Sequence, residues 1–197
     1  MTRRSTLSLV GACAAGVFVF ATAASAQTAP TTPPTQPRPE AAAETGTRLH
    51  EADQAFVTDA TKAVSTQRDA ARIATSRSSD RAVKAFAERV ASDNEKLSQT
   101  LRAASPRGVD VPHNDPDPAV LDSIKNLRGD AFDKAYIEQV ALDGNRKSLS
   151  VFQAEIASGR NEQLKNAARK GLPVIQAHYQ QAQALAGRKH LPGDASQ

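Results

Sequence analysis

Apolar residues recur at alternating spacings of four and three along most of the chain, the signature of helices that bury one stripe. Phe56, Ala60, Ala63, Gln67, Ala70 and Ala74 trace one such stripe, and Val83, Ala87, Val90, Asn94, Leu97 and Leu101 trace a second. Ser79 and Asp80, just before the second, offer oxygens to free first-turn amides. Pro106, Gly108, Pro112 and Pro116 then forbid regular structure through a long connection. Asp117-Pro118 predicts the cap and first turn of a short helix carrying Val120, Leu121, Ile124 and Leu127, which Gly129 stops. With Asp130 as its cap, a third long helix carries Phe132, Tyr136, Val140, Leu149, Phe152 and Ile156 and ends around Ser158-Gly159. The last starts near Asn161, carries Leu164, Ala168, Leu172, Ile175, His178, Ala182 and Leu185, and is expected to bend at Gly171-Leu172-Pro173. Continuous strand patterns are absent. The pattern predicts an all-α fold, a ferritin-like four-helix bundle whose long crossover contains a short extra helix.

The residues that interrupt the stripes carry the chemical information. Gln67, Asn94 and His178 each fall where periodicity calls for an apolar side chain. In the third long helix the run Asp143-Gly144-Asn145-Arg146-Lys147-Ser148 leaves almost two turns without a large apolar residue. Gly144 there costs roughly 1 kcal/mol relative to alanine, so an ordinary core does not select it.

Outside the helices the chain changes character. Arg3 and Arg4, the apolar run Leu7 to Phe20 and the small residues Ala24-Ser25-Ala26 read as a signal peptide over residues 1–26. General secretion is favoured over twin-arginine export because Thr6 stands where a bulky residue is wanted. Cys13 sits too early in the apolar run to close a lipid-attachment box. Residues 27–46 hold five prolines among Thr, Gln and Ala and read as a disordered linker. The bundle is expected over 47–187, with 188–197 as a disordered tail. These boundaries place the protein in the periplasm or outside the cell, with outer-membrane association left open and no transmembrane segment after signal removal.

Cys13 is the only cysteine among 197 residues, so a processed chain has no disulfide, thiolate metal site or cysteine nucleophile. Losing Arg3 and Arg4 takes two from the 25 basic residues against 21 acidic ones, for a net charge of about +2. That balance, with no Trp and few other aromatics, argues against nucleic acid and against a stacking carbohydrate site. Lys84, Arg89, Lys96, Arg102, Lys165, Arg169 and Lys170 alternate with acids on outward faces, a solvated surface that would also serve an anionic envelope polymer or anionic lipid.

The order and spacing of Phe56, the Val83-Lys84-Ala85-Phe86-Ala87 run, Asp93, Gly129, Phe132-Asp133, Tyr136, Leu164-Lys165, Leu172-Pro173 and His178 resemble a bacterial envelope family of unknown function. This is the domain of unknown function 4142 family, often labelled as predicted outer-membrane proteins. The resemblance implies a ferritin-like bundle. It also implies an acidic residue where Gln67 stands, and Asp-His pairs where this chain has Asp93-Asn94 and Asp143-Gly144. On that comparison Gln67, Asn94 and Gly144 are vestigial-site positions, and His178, Asp93 and Asp143 remain as weak metal candidates.

A ferritin-like metal site needs inward carboxylates and a histidine one turn from a glutamate, and no Glu-x-x-His pair occurs. His178 reads either as a core residue bonded to Asn94, Gln67 or a trapped water, or as a catalytic base without a recognisable nucleophile. Asp110, His113, Asn114, Asp115 and Asp117 in the crossover lack calcium-loop spacing and read as turn chemistry. The sequence therefore predicts an exported non-enzymatic binding or structural module with no catalytic residues, no cofactor and an unknown partner. The alternative is a metal-binding or metal-oxidising protein with a degenerate site.

Overall fold

The computed structural model describes residues 48–191; the expected signal segment 1–26, the expected linker 27–46, Thr47 and residues 192–197 lie outside the described residues. Local chemistry starts each helix. His50 Nδ1 accepts the Ala52 amide at the head of α1 (Glu51–Arg77), and Asp80 accepts those of Ala82 and Val83 at the head of α2 (Arg81–Ala104). Asp117 caps α3 (Pro118–Lys125), with Pro118 in the first turn where its missing amide costs nothing.

The third long element is one unbroken rod of three parts: α4 (Gly129–Ala135), a π-helical segment (Tyr136–Gly144) and α5 (Asn145–Ser158). Its start differs from expectation. Gly129, at φ +54°, begins the rod rather than ending α3, and Asp130 is an exposed first-turn residue, not the cap. Asn161 caps α6 (Glu162–Arg188) through the Gln163 and Leu164 amides, and α6 stays helical through Pro173. Lys189 follows it and bridges Asp80 at 2.8 Å and Asp133 at 3.3 Å, so order extends past residue 187 to Leu191.

Hydrogen bonds and ion pairs fix the topology. Asp53, early in α1, bonds the turn between α5 and α6, and Gln67, later in α1, bonds Val140 in the rod, so these two run antiparallel. Lys189 after α6 reaches the cap of α2, so α2 and α6 are antiparallel as well. Around the bundle α1 touches α2 and the rod, and α6 touches the same two. The crossover thus joins diagonal corners, α2 to the rod, as the ferritin-like arrangement requires. It runs along α1, where Ser65 Oγ and Thr66 Oγ1 accept the amides of Asp115 and Asp117.

The core is in two halves. One gathers Ala70, Val83, Val90, Phe132, Tyr136 and Ala182 with their neighbours, and the other Phe56, Val64, Leu97, Phe152, Leu164 and Ile175. Between them lies a polar level formed by Gln67, Asn94, Gly144-Asn145 and His178. The residues that break the apolar stripes therefore share one height in the bundle.

Candidate functional site

The π-helical segment sets the rod's side of the polar level. A π turn inserts an extra residue and rotates everything after it, so Ser148, Phe152 and Glu155 face inward while Leu149 and Ile156 are only half-buried. Gln67 Nε2 donates to Val140 O within that segment at 2.8 Å. Gly144 makes room beside it, because a Cβ there would overlap the Gln67 amide nitrogen and displace that side chain. Asn94 turns to its own helix and donates to Val90 O at 2.9 Å.

His178 bonds neither Asn94 nor Gln67. Its Nε2 lies 3.1 Å from Asp93 Oδ2, edge-on to Phe86. Burial holds the imidazole below the usual histidine range, against the pull of Asp93, so the neutral ring donates from Nε2. Nδ1 is buried and has no protein partner, so this base-and-carboxylate pair activates no nucleophile among the described residues. Tyr136 Oη and Gln67 Oε1 likewise lack protein partners, and burial pushes the Tyr136 phenol up.

A di-metal centre does not fit these residues. Asp93 and His178 meet, but Asp143 is exposed and pairs with Arg146 at 3.4 Å. Gln67 offers its amide nitrogen toward the rod, Asn94 is bonded within its own helix, and Gly144 has no ligand to give. Among the described residues no three His, Cys, Asp or Glu side chains gather as a metal would need.

At this level two depressions open on opposite seams. Asp93, His178 and Pro173 border a shallow one between α2 and α6. The other, smaller at about 190 Å³ against about 300 Å³ but more enclosed, is a groove between α1, α3 and the rod. Ala63, Val120, Val140 and Val151 supply its apolar walls, with Gln67, Gly144 and Gln139 beside them. Lys62, Lys147, Asp59 and Asp117 line its polar margin.

Three arrangements escaped the sequence reading. Arg68, 3 % exposed, pairs with Asp69 at 3.1 Å and Glu95 at 3.5 Å and bonds Asn114 of the crossover. Lys189 closes the end of the bundle described above. Asp53 and Glu155 form a buried carboxyl pair, and a signal existed for them: Asp53 lies three residues before the stripe residue Phe56 and Glu155 three after Phe152, on the extended inward face.

The family model for the domain of unknown function DUF4142 matches residues 37–185. The chain belongs to the DUF4142 family. Among solved structures this DUF4142 protein is similar to the crystal structure of a DUF305 protein from Streptomyces coelicolor, named as a candidate secreted protein. The TM-score is 0.60 at 15 % identity, covering 72 % of this chain and 94 % of the other. At that identity the likeness is one of fold. No curated protein matches the chain.

Proposed function

We propose that this DUF4142 protein is an exported, non-enzymatic binding module of the cell envelope, and that the groove between α1, α3 and the rod is its ligand site. The observation that carries the reading lies in the groove's lining: Gly144 lets the Gln67 amide reach the rod, and the buried Gln67 Oε1 has no partner among the described residues. A buried acceptor without a donor costs about 1–3 kcal/mol, which a ligand donor would recover. Gln67 and Gln139 can each donate and accept, matching peptide groups. Lys62 and Lys147 suit a free carboxylate, Asp59 an ammonium, and the small apolar walls short aliphatic side chains. A short peptide of small residues with a free C-terminus has that chemistry. The export signal and the secreted assignment of the structural relative support the location.

Titration calorimetry with tri-alanine and its C-terminal amide tests this. Stoichiometric binding of the acid, at least about tenfold weaker for the amide or for Lys147→Gln, is the expected result. Equal binding of both peptides, or of neither to the folded protein, would reject the groove as a peptide site.

A further inference from the structure

We infer that Asp53 and Glu155 share a proton and act as a clasp that fastens the turn between α5 and α6 to the start of α1, loosening when the proton leaves. Three elements meet at this point. Asp53, 1 % exposed, uses Oδ1 to accept the amides of Arg160 at 2.8 Å and Asn161 at 2.9 Å, and Asn161 is itself the cap of α6. One carboxylate oxygen therefore holds the turn. Glu155 of α5, 2 % exposed, faces it, and among the described residues neither Glu155 oxygen has a donor.

Two carboxylates cannot both stay charged in so dry a place without a counter-ion. A single proton resolves the conflict: protonated Glu155 donates to Asp53, while Asp53 keeps Oδ1 for the two amides. Gly159 packs against the Glu155 carboxyl so closely that a Cβ there would overlap it, and both Glu155 oxygens are buried. The surrounding charges do not change the sign. From α6, Lys165 attracts Glu155 but is held by Glu162 at 3.2 Å. From α1, Asp59 borders the same surface depression as Glu155 and adds negative charge, while Ser150, Val151, Ala154 and Ser158 of α5 bring none. The turn presents Arg160 through its backbone amide.

Burial first, and the Asp53 charge second, push Glu155 up to about 7 from an ordinary 4.5. A carboxyl whose folded value is raised holds its proton more tightly folded than unfolded. Its contribution is therefore complete below about 4.5 and fades as pH climbs through about 7.

Carbon NMR of the Glu155 carboxyl, together with unfolding midpoints at pH 5 and pH 8, tests the clasp. The expected results are a Glu155 titration near neutrality and amides of Arg160 and Asn161 less protected at pH 8, after correction for intrinsic exchange. Glu155→Gln, a permanent donor, is expected to raise the pH 8 midpoint and leave the pH 5 midpoint nearly unchanged. Asp53→Asn keeps an acceptor for both amides and gives Glu155 a donor, so it should shift the balance in the same direction. Titration of Glu155 in the ordinary carboxylate range, or equal losses at both pH values for both variants, would overturn the proposal.

Discussion

Gly144 is defined by its neighbour. Alanine in a helix interior is worth about 1 kcal/mol over glycine, but a methyl here meets the Gln67 amide nitrogen. To make room Gln67 must leave Val140 O, and a buried group stripped of its partner costs about 1–3 kcal/mol. Gly144→Ala is therefore expected to destabilise by about 1 kcal/mol in urea unfolding, and to turn neutral or stabilising when Gln67 is already alanine. The same loss in both backgrounds would show that the two residues are uncoupled. Single residues show where the sequence was readable. Gln67, Asn94 and His178 were visible because they break apolar stripes, and their common level follows from that. Their partners were not visible: Asn94 turns to Val90 and His178 to Asp93, choices set by side-chain direction and not by spacing.

At the scale of the element, the caps Asp80, Asp117 and Asn161 were legible, whereas the imidazole cap of His50 was not and the rod begins without a side-chain cap at Arg128. The π-helical segment could not be read because its mark is a shift of phase, and the run Asp143 to Ser148 recorded only that apolar residues were missing. That shift is what turns Glu155 inward. The crossover depends on tertiary anchors equally hidden from periodicity: Arg68 to Asn114, Ser65 to Asp115 and Thr66 to Asp117. Asp69 and Glu95 can return to solvent if Arg68 is removed, so Arg68→Ala is expected to cost about 1–3 kcal/mol, less than stranding a fully buried ion. Hydrogen exchange should report faster opening at Asp115 and Asp117. Unchanged protection there would mean that the crossover holds without this cation.

For the molecule as a whole, the bundle was readable because four stripes and one long link leave few topologies. No helix among the described residues is long and apolar enough to cross a membrane. If the leader is processed after Ala26, intact mass of exported material should correspond to a chain beginning at Gln27. A mass retaining Met1, or a lipid adduct on Cys13, would refute that processing. The diagonal crossover has a consequence for assembly. α1 with α2, and the rod with α6, are hairpins with short turns, and each covers its apolar face only by docking on the other. The link between them must travel most of a helix length, about 36 Å for one the size of α2, and residues 105–117 can reach about 40 Å when extended. That slack lets one chain close on itself. Cut the link short and the same two faces can meet only by exchange, hairpin for hairpin, between two copies.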